Sequence, residues 1–73
     1  MKQIDMHGKR VKQAEEIFHS LLNESRTGRK LVEILFITGT GSIQELIKRL
    51  AAEQSLNAYV PMNNRGCIVV EFE

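Results

Sequence analysis

The sequence predicts a small α/β domain, a two-layer α+β sandwich in β-α-β-α-β-β order, with a four-stranded mixed sheet and two helices on one face. Three observations carry this expectation. Residues 2–7 alternate polar and apolar, the period of a half-buried strand. Residues 43–54 place Ile43, Leu46, Ile47, Leu50 and Ala51 on one helical stripe. Residues 57–61 and 67–72 are short strand-like runs, separated by Asn63-Asn64-Arg65-Gly66, residue types that suit a turn.

The first strand puts Ile4 and Met6 on one face and Asp5 and His7 on the other, and Gly8 ends it. Residues 10–26 read as a helix, with Val11, Ala14, Phe18, Leu21 and Leu22 on its apolar stripe. Lys12, Glu15, Glu16, Asn23 and Arg26 form its solvated side, and Gly28 suits the left-handed residue that closes a helix. Residues 31–37 are apolar on nearly both faces, as in a central strand. Ser42 and Glu45 have the spacing of a capping box and are expected to open the second helix. Pro61 has no N–H to donate, which puts the 57–61 strand at an edge or marks its end. Ile68, Val70 and Phe72 share one face of the last strand.

Right-handed crossovers make the early strands parallel neighbours and bring both helices to the same face. The short turn makes the last two strands an antiparallel hairpin. The other sheet face is left open, with Asp5 and His7 directed to it and Leu35, Ile37 and Val69 forming an apolar patch there.

Composition narrows the class. A chain of 73 residues, 42% apolar and 26% charged, is one ordinary globular domain, not a disordered or fibrous one. The lone Cys67 supplies neither a disulfide nor a metal-ligand pair, and reads as a small hydrophobe in a strand. It fits a reducing, cytoplasmic setting. The apolar run 31–37 is broken by Glu33 and falls far short of the ~20 residues needed to span a membrane. The net charge of +1 excludes a globally basic nucleic-acid binder, so phosphate binding must come from a local patch.

Asp5 and His7 are the candidate catalytic pair. An imidazole oriented by a nearby carboxylate serves as a general base, and the two could hold a divalent ion such as Mg²⁺ or Mn²⁺ with water. The competing role is structural, with Asp5 bonding backbone N–H groups near the next helix and His7 packing over the sheet end. Thr38-Gly39-Thr40-Gly41 joins a strand to a helix start, where glycines admit a ligand to the backbone and free N–H groups attract phosphate. Neighbouring parallel strands would bring His7 and Gly8 beside 38–41, forming a crevice at the strands' C-terminal ends. Lys9 and Arg10 would stand on its rim and Arg65 in the hairpin turn, with Arg29 and Lys30 at the opposite end of the sheet. Each is otherwise a solvated surface charge. Phe18, Phe36 and Phe72 read as core, which leaves Tyr59 alone to stack on a base, and His19 is given no role.

These motifs resemble a known family. Ile4-Asp5-Met6-His7-Gly8 resembles the Leu-Asp-Leu-His-Gly signature that opens Smr (small MutS-related) domains. Ile37-Thr38-Gly39-Thr40-Gly41 resembles their second signature, His-Gly-x-Gly or its Thr-Gly-x-Gly variant. Asn64-Arg65-Gly66-Cys67-Ile68 is similar to their closing Asn-x-Gly-x-hydrophobic strand, so the resemblance spans nearly the whole chain. It implies a single domain over 1–73, with sheet order 1-2-4-3 and an antiparallel last strand, like the C-terminal domain of bacterial translation initiation factor three.

It also implies a nucleic-acid-binding domain with endonuclease activity, nicking DNA or cleaving RNA with little sequence specificity, alone or within a larger chain. Asp5 and His7 would then be catalytic, and Gly8, Lys9, Arg10, Thr38, Gly39, Thr40, Gly41 and Arg65 would bind phosphate. Thr38 stands where histidine is commoner in the family, and the loop after Gly41 is shorter than in many members. Both departures leave alternatives open: non-catalytic nucleic-acid or ribosome binding, or protein interaction with weak self-association.

Overall fold

A computed structural model describes residues 2–28 and 33–72. It contains β1 (Lys2–Asp5), α1 (Val11–Arg26), β2 (Glu33–Ile37), α2 (Ser42–Glu53), β3 (Asn57–Tyr59) and β4 (Cys67–Glu71). The sheet order is β1-β2-β4-β3. β1 pairs parallel to β2, while β4 pairs antiparallel to both β2 and β3. Arg29, Lys30 and the first part of the expected 31–37 strand, Leu31 and Val32, lie outside the described residues.

One core lies between the helices and one sheet face. Ala14, Phe18, Leu21 and Leu22 of α1 and Ile43, Leu46, Ile47, Leu50 and Ala51 of α2 meet Ile34, Phe36, Ile68 and Val70 of the sheet. Phe18 sits centrally, its ring 5.5 Å from Phe72 and 6.3 Å from Phe36, within the range of favourable aromatic pairs. Cys67 is buried in β4, as expected of a small hydrophobe. No helix among the described residues is long and apolar enough to cross a membrane.

Local structure departs from expectation at several points, each with a physical reason. β1 stops at Asp5, because Lys9 N–H donates to the Met6 carbonyl (3.1 Å) and Gly8 takes φ +80°, closing a turn. His7 is therefore a turn residue, and it does not share a strand face with Asp5. Val11 is 46% exposed, not buried with the stripe, because it lines the open depression between the starts of the two helices. The Ser42–Glu45 capping box does not form, since Gly41 is the N-cap and Ser42 is already helical. Half of a capping box forms at α1 instead. The Gln13 side chain accepts from the Arg10 N–H (3.0 Å), and arginine has no acceptor with which to return the bond. β3 ends at Tyr59, and Pro61 lies beyond it in a turn, where its carbonyl accepts from the Asn64 N–H (3.1 Å).

The open face is less apolar than expected. Leu35 and Ile37 are half-buried and Val69 is buried. Tyr59 starts opposite Val69 on β3, and its hydroxyl reaches Glu33 on β2 at 3.5 Å. Since β4 lies between β3 and β2, the phenol side chain crosses over β4 and shields that face.

Candidate nucleic-acid interface

The site forms where β1 and β2 end together. Asp5 is paired with Ile37, and the Met6 N–H extends that pairing by donating to the Ile37 carbonyl (2.8 Å). Past that point both chains turn away. Asp5 Oδ1 accepts from the His7 N–H at 2.9 Å, which fixes the start of the His7–Gly8 turn. Asp5 thus bonds a backbone N–H as expected of a structural carboxylate, though that of His7 in the turn and not one near the next helix, and it remains exposed. His7 is exposed too, and its ring edge lies beside Gly39, where a β-carbon would stand 3.9 Å from His7 Cδ2. The expected neighbourhood of the acid–imidazole pair and the glycine loop is present.

The glycine loop is organised differently from the expected cradle. The Thr38 and Gly39 N–H groups both donate to the Gly66 carbonyl, at 2.9 and 2.8 Å. They are therefore occupied within the protein. Thr38 is buried, and its hydroxyl lies 2.8 Å from the Gly39 carbonyl and 3.3 Å from that of Gly66. It braces the loop. Gly39 takes φ +75°, a conformation that favours glycine. The anion-attracting groups lie further on, at the start of α2. Glu45 N–H makes the first intrahelical bond, to Gly41 O at 3.3 Å, so the N–H groups of Ser42, Ile43 and Gln44 precede the helical ladder. Gly41, exposed at the N-cap, has open space where a β-carbon would project.

Gly66 belongs to the same rim, and a β-carbon there would stand 3.7 Å from Gly39 Cα. Its turn is anchored by Gln44, which belongs to none of the motifs in the sequence. Gln44 is buried, and its Nε2 donates to the carbonyls of Arg65 (2.8 Å) and Cys67 (3.1 Å). A signal for it existed: Gln44, Ile47 and Ala51 are spaced i, i+3, i+7, so a polar residue falls on the buried stripe and must find partners there.

Gly8, Lys9, Arg10, Thr40 and Arg65 are all exposed. A shallow depression of about 600 Å³, lined by Val11, Ser42, Glu45, Leu46 and Arg49, continues the rim onto the helical layer. No group of three His, Cys, Asp or Glu side chains is placed to hold a metal among the described residues. Tyr59 is not at this rim, being tied to Glu33 at the far end of β2.

Known structures share this architecture. The Smr domain of Thermus thermophilus MutS2 superposes with a TM-score of 0.77 at 22% identity, covering 97% of this chain and 96% of that one. The human small-MutS related domain gives a TM-score of 0.74 at 21% identity, covering 96% and 99%. The fold is that of an Smr domain. No family model matches the chain, and no curated protein matches it either. Within the Smr fold, the rim built from His7, Gly39, Gly41 and Gly66 is where the three signature-like segments of this sequence converge.

Proposed function

We propose that this chain is a nucleic-acid-binding module that hydrolyses phosphodiesters at the rim shared by β1, β2 and the start of α2. The observation that carries the reading is the approach of the His7 ring to Gly39, beside the N-terminus of α2. A backbone phosphate at Gly41 would meet the Ser42–Gln44 N–H groups and the positive end of the helix dipole. Lys9, Arg10 and Arg65 supply countercharge from either side. His7 takes a proton from a water whose oxygen bonds to phosphorus, the P–O bond to the leaving nucleotide breaks, and the departing oxygen takes up a proton from the imidazolium or from solvent. Asp5 holds the turn that carries the imidazole. The fold's occurrence in MutS2 and in a human small-MutS related domain supports a nucleic-acid context.

Incubation with plasmid DNA and with structured RNA, with and without Mg²⁺ or Mn²⁺, tests this. Wild type is expected to cleave, and Asp5→Ala and His7→Ala to lose activity at least tenfold while still binding. Cleavage by both variants at the wild-type rate would remove them from the chemistry.

A second reading, binding without cleavage, is favoured by Thr38. Its buried hydroxyl is committed to the loop, so His7 is the one imidazole identified at the rim among the described residues. That reading predicts salt-sensitive binding and no cleavage of either polymer.

A further inference from the structure

We infer that Met62 is an apolar contact for an unstacked base, which makes nucleic acid with unpaired bases the preferred ligand of the rim. The inference rests on the nucleic-acid reading above and names the ligand form it favours. Met62 is 94% exposed, against 46% for Val11 and 47% for Tyr59, the other exposed large hydrophobic residues among those described. Exposure alone is ordinary for a surface residue. Here it is combined with position and support.

The 60–66 connection springs from the same rim as the crevice, because β4 begins at Cys67, directly opposite Ile37, the last residue of β2. Met62 sits within the 61–64 turn closed by the Asn64 N–H to Pro61 carbonyl bond (3.1 Å). A second turn follows, in which Asn64 Oδ1 accepts from the Gly66 N–H (3.3 Å) and Asn64 O from the Cys67 N–H (3.3 Å). Gln44 and the Thr38–Gly39 N–H groups then clamp Arg65 and Gly66 to the rest of the rim. The methionine is thus carried on a braced loop, flanked by exposed Asn63, Asn64 and Arg65.

Neighbouring strands lie about 4.8 Å apart, so the rim from β1 to β3 spans about 14 Å, the reach of a few nucleotides. A backbone held at Lys9, Arg10 and the start of α2 would bring a following base to the loop. Methionine is one of the apolar side chains that insert between bases, and its unbranched, polarisable chain adapts to any base face. Such contact requires a base released from its stack, which single strands offer and intact duplex resists.

Fluorescence anisotropy with a mixed-sequence single-stranded oligonucleotide, as DNA and as RNA, and with its duplex tests the inference. Met62→Ser is expected to weaken single-strand binding roughly tenfold, the loss of one buried methionine contact. It should leave duplex binding nearly unchanged, and Met62→Leu should bind like wild type. Lys9→Ala should weaken both forms alike. A fluorescent base analogue in the strand should respond to wild type and not to Met62→Ser. The side chain is solvent-exposed, so circular dichroism and melting should be unaltered. Wild-type single-strand affinity in Met62→Ser, or an equal loss on both forms, would overturn the inference and leave the functional reading standing. Failure of wild type to bind any of the polymers would overturn both.

Discussion

At the scale of single residues, several side chains do two things, and sequence shows only one of them. Asp5 reads in sequence as a candidate member of an acid–imidazole pair, and in the structure it fastens the turn that carries His7. Thr38 reads in sequence as part of a candidate phosphate loop, yet its hydroxyl faces inward to the Gly39 and Gly66 carbonyls. The difference is one of rotamer and burial, which local sequence does not specify. Tyr59 is a further case. Partial burial, then the carboxylates of Glu33 and Glu71 and the hydrogen bond to Glu33, raise its pKa above 10.0. A group whose folded pKa is raised contributes stability that is complete below its unfolded value and is lost as pH climbs through the folded one. Folding should therefore weaken above about pH 10 as Tyr59 ionises. The chain has one tyrosine and no tryptophan, so tyrosinate absorbance reports this group alone. Its midpoint should exceed 10.0 and fall towards the ordinary value in Glu33→Gln. An unchanged midpoint would show that the phenol does not sense Glu33.

At the scale of elements, the periodic segments were the legible ones. The stripe of α2 places its buried residues as expected, and the α1 stripe does so from Ala14 onward. Boundaries were less legible, because ends are set by tertiary hydrogen bonds. β1 ends where the Asp5 and Met6 turn bonds form, and α2 starts at a glycine without a side-chain cap. The end of α2 carried no glycine signal at all. There the Ser55 N–H donates to Ala52 O (3.1 Å) and the Leu56 N–H to Ala51 O (2.8 Å), the paired bonds of a Schellman motif. Ser55 holds its left-handed position with φ 58°. A side chain there costs about 1–2 kcal/mol, and glycine's own entropy cost offsets part of the gain. Ser55→Gly should therefore stabilise the domain by roughly 0.5–1 kcal/mol and raise its melting temperature by a few degrees. Thermal melts check this, and a lower melting temperature would mean that Ser55 contributes contacts beyond its conformation.

At the scale of the molecule, topology does what no local motif can. The order β1-β2-β4-β3 brings segments near residues 7, 39 and 66 to one edge, though they are far apart in the chain. The meeting of His7 and Gly39 was legible because right-handed parallel units put consecutive strand ends together. The contribution of Gly66 and Gln44 was not, because it depends on how the last hairpin packs against the start of α2. A net charge of +1 means that attraction for nucleic acid must be local to this rim. The most direct test is to titrate a short oligonucleotide into isotope-labelled protein and map the backbone amide signals that move. Shifts should concentrate at 7–10, 39–44 and 62–66 and diminish as salt is raised. Shifts confined to the open face around Glu33, Tyr59 and Glu71, or no shifts at all, would contradict binding at this rim.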